Sequence, residues 1–212
     1  MNENLDDETP LDPAEMLALV KRSQLDTARR AATLIPWILI TWGVAWLIGF
    51  GLLWLAYGPG VIGETVAWVV FAVLMILGVV ASAILGTRAT RGTRDTKAEN
   101  MAGLLFGLAC MAGFISVGVL GYALAKAGMS FEVGALYYPS MYGLIIGVTY
   151  LFGGATWRTP YPAYVGGWLI VVSLVAPFVP FPLHYLVFSI AGGGAFLVAG
   201  IIFAAWSWKR AK

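Results

Sequence analysis

The side chains best able to bind or transform a ligand lie at the ends of apolar stretches. Four are ionisable and three are tyrosines: Glu64, Lys126, Glu132, His184, Tyr137, Tyr138 and Tyr185. If the apolar stretches are membrane helices, all seven lie near one bilayer face and could line a shallow outer pocket. Imidazole and carboxylates could also bind a metal ion. We favour the plainer interpretation, in which each side chain anchors a helix end among lipid head groups.

A proline interrupts the fourth apolar stretch. Pro139 has no backbone N–H and its ring clashes with the preceding turn, so the pattern predicts a kink. The carbonyl near Ala135 then loses its helical donor, and the hydroxyls of Tyr138 and Tyr142 lie close by. Polar groups at membrane depth need a partner. This segment is therefore the second candidate site.

Four cations, spaced three residues apart, follow the second apolar stretch: Arg88, Arg91, Arg94 and Lys97. On a helix they would form one stripe. A short basic loop between membrane helices is typical of the cytoplasmic side. Orientation is therefore the expected role, and a docking patch for a partner or phospholipid is the alternative.

Composition places the chain in the membrane. Hydrophobic residues make up 60% and charged residues 11%, with a mean hydropathy of +0.83, whereas soluble domains contain about 25% charged residues. We predict an all-α bundle of six transmembrane helices, at about 34–57, 61–85, 101–125, 133–157, 164–179 and 183–208. Prolines at the outer end of the fifth make it short, and tilted or partly re-entrant.

The distribution of basic residues predicts the orientation. With both termini cytoplasmic, Lys126 is the one residue among the 13 Lys and Arg that falls on the outer side, as the positive-inside rule requires. The single cysteine, Cys110, excludes an internal disulfide. Residues 1–11 are predicted to be an acidic disordered tail and residues 209–212 a basic tail.

Residues 12–33 are predicted to form a cytoplasmic juxtamembrane helix. Asp12 can cap it and Pro13 suits its first position. Its basic residues (Lys21, Arg22, Arg29 and Arg30) favour a helix lying on anionic head groups. A solvated extension of the first span is the alternative.

Small residues recur at four-residue spacing on several stretches: Gly78/Ser82/Gly86, Gly103/Gly107, Gly143/Gly147 and Ala191/Ala195/Ala199. Such spacing permits close helix packing in lipid. We expect packing within one chain, with a homodimer seam as the alternative.

The segment DPAEMLALVKRSQLDTARR followed by WGVAWLIGFG resembles the start of an uncharacterised type of multi-pass membrane protein of actinobacteria. The resemblance covers roughly residues 12–57. It implies a bacterial cell membrane, and it transfers no activity or ligand residue.

Two functions fit these patterns. We expect a non-enzymatic accessory, regulatory or scaffold subunit of a membrane complex, because the span interiors are uncharged and a capped helix precedes them. The alternative is a small permease or channel for a neutral or amphipathic solute, favoured by the proline-interrupted spans. We predict no catalytic residue, cofactor, metal site or nucleic-acid partner. The protein's contacts are then the lipid bilayer and either a membrane-protein partner or a second copy.

The orientation can be tested by labelling. Cysteines placed at Gly60 or Gly128 should react with an impermeant maleimide from outside intact cells, and tags at either terminus should be cytoplasmic. Cysteines in residues 88–97 should react only after the membrane is opened. Labelling of that loop from outside would contradict the six-span topology.

Overall fold

The computed structural model describes residues 12–89, 97–156 and 160–211, and these residues form helices and turns without strands. A 3₁₀ turn at Ala176–Phe178 follows α5, and a π-helical segment at Phe188–Gly193 separates α6 from α7. The α-helices are α1 Pro13–Tyr57, α2 Glu64–Ala89, α3 Lys97–Lys126, α4 Phe131–Thr156, α5 Pro160–Val175, α6 Leu183–Val187 and α7 Gly194–Ala211.

Six helical stretches are long and apolar enough to cross a membrane, which confirms the predicted number. They are Pro36–Tyr57, Glu64–Arg88, Met101–Lys126, Phe131–Thr156, Pro160–Phe178 and Leu183–Trp206. The fifth is longer than predicted, because α5 begins at Pro160 and the 3₁₀ turn extends it. Its 19 residues rise about 28 Å, close to the hydrocarbon thickness of about 30 Å.

The predicted juxtamembrane helix is continuous with the first span. Asp12 caps α1 as predicted, since its carboxylate accepts from the Ala14 amide at 3.3 Å, and the helix then runs without a break to Tyr57. The portion before Pro36 rises about 34 Å. A continuous helix is what the alternative, an extension of the first span, requires. Whether this extension lies on a membrane surface or in solvent stays a prediction.

The core lies among the first, fourth, fifth and sixth spans. Trp46 of α1 contacts Phe50, Phe188 and Phe196 edge-on, with ring centroids 5.4–6.1 Å apart. Edge-to-face contacts of this kind stabilise aromatic pairs beyond their buried area. The indole of Trp46 therefore holds the first span against the sixth.

The second and third spans are peripheral. Only 6% of each is buried, against 39% of the first span. The second span packs on α1, where the Trp42 indole N–H donates to the Ser82 hydroxyl at 2.8 Å. The third span packs on α4. Both therefore present long apolar faces to lipid or to another protein.

Glycines allow α4 and α5 to approach each other closely. A Cβ added at Gly147 would lie 2.8 Å from the Gly166 carbonyl oxygen, and one at Gly166 would collide with the Gly147 carbonyl. Packing within the chain is thus confirmed for Gly143/Gly147. The prediction of packing within the chain is wrong for Gly103 and Gly107, because an added Cβ there would meet nothing within 4 Å among the described residues.

The adjacent glycines of α5 provide a matched test. Gly166→Ala should lower the midpoint of thermal unfolding, because the methyl group would push α4 and α5 apart at a cost of about 1–3 kcal/mol. Gly167→Ala should leave it unchanged or raise it, because a Cβ there meets open space and alanine favours the helix by about 1 kcal/mol. Equal effects in a detergent melting assay would contradict the packing.

Candidate functional site: ring N–H donors at two irregular helix positions

His184 lies inside the bundle and not among head groups. Its side chain is 0% exposed at the start of α6. Its Nε2 atom is 3.0 Å from the carbonyl oxygen of Ala135 in α4. Because a carbonyl oxygen only accepts, Nε2 carries the hydrogen and donates it. The interpretation of His184 as a head-group anchor is wrong.

The acceptor of this bond is the carbonyl that a proline deprives of its helical donor. Ala135 precedes Pro139 by four residues, so the missing Pro139 N–H would have been its partner. Helix α4 nevertheless continues through Pro139. The sequence predicted a carbonyl near Ala135 in need of a partner, and the structure identifies that partner as His184.

The neighbouring tyrosines face the third span. A Cβ at Gly121 of α3 would collide with the Tyr138 ring, and the Tyr142 ring stacks on Phe114 at 5.6 Å. The Tyr137 hydroxyl donates to the Val117 carbonyl at 3.2 Å. These three predicted site residues therefore join α3 to α4.

A second ring N–H binds a carbonyl at the other irregular position. The π-helical segment of the sixth span contains Ala191, and the indole N–H of Trp168 in α5 donates to the Ala191 carbonyl at 2.8 Å. In the same segment, the Ser189 hydroxyl donates to the Leu47 carbonyl of α1 at 2.7 Å. Sequence reasoning missed this site, because no proline marks it. The run Gly192-Gly193-Gly194 was its one signal.

The predicted outer pocket is divided in the structure. Glu64, Lys126 and Glu132 are exposed, whereas His184 is enclosed, and the Lys126 ammonium lies 5.6 Å from the Tyr122 ring centroid. Across residues 12–89, 97–156 and 160–211, no three His, Cys, Asp or Glu side chains group as metal ligands would.

Three aromatic rings cluster beside His184, at the end of the bundle where α1 ends and α4 begins. Tyr57 of α1, Phe131 of α4 and Phe181 of the loop before α6 contact one another, with centroids 5.3–6.0 Å apart. Phe181 also lies 5.7 Å from the imidazole. We call these three rings the aromatic cap.

Only two cations of the predicted basic stripe belong to the described residues. Arg88 is exposed in the last turn of α2, and Lys97 begins α3. Arg91 and Arg94 lie outside the described residues, so the stripe of four stays a prediction.

Comparison with known proteins adds no assignment to this geometry. No family model, no curated protein and no solved structure matches the chain.

The Trp168 bond predicts a selective loss of stability. Trp168→Phe keeps most of the ring but leaves the Ala191 carbonyl without the indole donor, and should cost about 1–2 kcal/mol in lipid. Trp37→Phe is the matched control, because Trp37 is exposed to a similar extent, 55% against 49% for Trp168, on the first span. Unfolding in nanodiscs should separate the two variants. Equal stabilities would show that the indole N–H contributes nothing.

Proposed function

We propose that this chain is a non-enzymatic accessory, regulatory or scaffold subunit of a bacterial membrane complex. The supporting observation is a packing stripe on α3 that is only half used. Residues at alternating spacings of three and four share one helix face, and on α3 that face carries Gly103, Gly107, Cys110, Phe114, Val117 and Gly121.

The outer half of this stripe packs on α4. Phe114 stacks on Tyr142, the Val117 carbonyl accepts the Tyr137 hydroxyl, and Gly121 lies against Tyr138. Gly103 and Gly107 do not: both are exposed, and a Cβ added at either would meet nothing within 4 Å in the described part of the chain. The same face thus carries two further glycines that no described neighbour contacts.

Contact with lipid alone does not explain why α3 has glycines at both Gly103 and Gly107. Each glycine in a helix interior costs about 1 kcal/mol relative to alanine. Small residues on one face let a second helix approach closely, which is the main source of helix association in lipid. A helix of a partner protein, seated on the open half of the α3 stripe, accounts for them.

The extension of α1 offers a second contact. Met16, Leu17 and Leu19 each expose half or more of their surface on this helix. We place it on the cytoplasmic side with both termini, in a bacterial plasma membrane. There it can bind the partner's soluble part or the membrane surface, with Arg88 and the neighbouring loop as a further docking region.

A permease or channel for a neutral or amphipathic solute is the second candidate. Pro139 no longer supports it, because the carbonyl that this proline frees is bound by His184. What favours it is a set of buried polar atoms in the outer half of the bundle that have no partner among the described residues.

Copurification of variants tests the proposed function. Affinity purification from native membrane in mild detergent should recover a second membrane protein in fixed ratio. Gly107→Leu should reduce its recovery at least tenfold while leaving the chain's own melting temperature unchanged or higher. Ala109→Leu is the matched control, because it places the same leucine side chain on an exposed position about 160° around the helix.

Two results would contradict the accessory role. One is a wild-type chain that purifies alone, or only with copies of itself, under conditions that keep known membrane complexes intact. The other is a partner whose recovery is the same from wild-type, Gly107→Leu and Ala109→Leu protein.

A further inference from the structure

Two adjacent side chains below the aromatic cap each have a buried polar atom to satisfy. His184 and Tyr185 are both 0% exposed, and their ring centroids are 4.1 Å apart. Since Nε2 of His184 donates to the Ala135 carbonyl, Nδ1 of the neutral ring is an acceptor. Neither this Nδ1 nor the Tyr185 hydroxyl has a hydrogen-bond partner within the described residues.

Two serine hydroxyls share this condition. Ser140 of α4 and Ser173 of α5 are buried, and their Oγ atoms have no partner in the described part of the chain. A hydroxyl on a helix can donate to a backbone carbonyl of the preceding turn, as Thr41 does to the Trp37 carbonyl at 2.8 Å. Ser140 and Ser173 make no such bond. Most buried polar side-chain atoms in proteins have a partner, so each of these four atoms needs an explanation.

The four side chains lie at or within about one helical turn of one helix junction. A Cβ at Gly143 would collide with the Ser173 hydroxyl and would lie 3.4 Å from the Phe188 ring, so α4, α5 and the sixth span meet there. Ser140 is one helical turn from Gly143, and His184 is one turn from Phe188. Tyr185 adjoins His184, and its ring packs on Phe50 and Tyr57 of α1.

The surroundings restrict what can bind there. Phe181 of the aromatic cap lies 5.7 Å from the His184 imidazole, and the Phe50 ring stacks on Tyr185 at 6.2 Å. The acidic side chains described at this end of the bundle, Glu64 and Glu132, are exposed, and Glu64 interacts with the Tyr57 hydroxyl of the cap. Neither carboxylate is buried with the four atoms, so an ion there would pay a high desolvation cost. A small uncharged molecule that both donates and accepts hydrogen bonds would not pay this desolvation cost.

We propose that the outer half of the bundle is a binding site for internal water. Water satisfies both requirements of the site, since it donates to His184 Nδ1 and accepts from the Tyr185 and serine hydroxyls. Buried waters in proteins typically make about three hydrogen bonds to groups of this kind. This site does not depend on the accessory role. In a scaffold the bound water would stabilise the helix junction, and in a permease it would hydrate the path of the solute.

The proposed water site can be tested by whether removing a hydroxyl lowers or raises the melting temperature. If water satisfies these hydroxyls, Tyr185→Phe and Ser173→Ala should each lower the melting temperature by several degrees. Tyr137→Phe and Ser189→Ala are the matched controls, because each removes a hydroxyl with a protein acceptor and should lower it similarly. If Tyr185→Phe and Ser173→Ala leave the melting temperature unchanged or raise it, the hydroxyls have no bound partner and the proposal fails.

A spectroscopic test needs no variant. His184 is the only histidine, so ¹⁵N-histidine labelling of the wild-type protein in lipid gives the signals of one ring. Bound water predicts a protonated Nε2 and an upfield-shifted, hydrogen-bonded Nδ1 that receives polarisation from water protons. A free Nδ1 lone pair would overturn the proposal. A hydrogen-bonded Nδ1 that receives no polarisation from water would overturn it too, by identifying another donor.

Discussion

The hydrogen bond from His184 to the Ala135 carbonyl is the interaction on which the bundle depends. In the hydrocarbon of a bilayer no bulk water replaces a missing helical hydrogen bond, so the carbonyl freed by Pro139 needs a donor from within the bundle. His184 supplies it and joins the fourth span to the sixth near the first turns of α4 and α6. Trp168 does the same for Ala191 in the π-helical segment, joining the fifth span to the sixth. At both positions an irregular stretch of backbone is paired with a ring N–H donor from a neighbouring span.

These two bonds explain the arrangement of the other helices. They fix the fourth, fifth and sixth spans around the junction at Gly143, and the Trp46 cluster adds the first. The second and third spans contact this core through one neighbour each. The polar atoms that require partners therefore lie inside the core, whereas the faces that we propose for a partner protein lie on the third span and on the extension of α1.

The sequence was informative wherever length and backbone chemistry decide the structure. Six spans follow from apolar length, the Asp12 cap from its side chain, and the carbonyl in need of a donor from Pro139. Helix rotation was not predictable, because uniformly apolar spans carry little amphipathic signal. His184 therefore appeared to be at the rim, and Gly103 and Gly107 appeared to be packed. The π-helical segment was not predicted either, because the sequence contains no proline there.

A double-mutant cycle on His184 and Pro139 tests the central claim most directly. His184→Leu should destabilise the wild-type protein by leaving the Ala135 carbonyl unsatisfied. In the Pro139→Ala background the new amide N–H can bond that carbonyl within α4, so the same substitution should cost less, with a coupling of about 1–2 kcal/mol. The measurement is reversible unfolding of all four proteins in lipid. An equal cost of His184→Leu in both backgrounds would contradict the account.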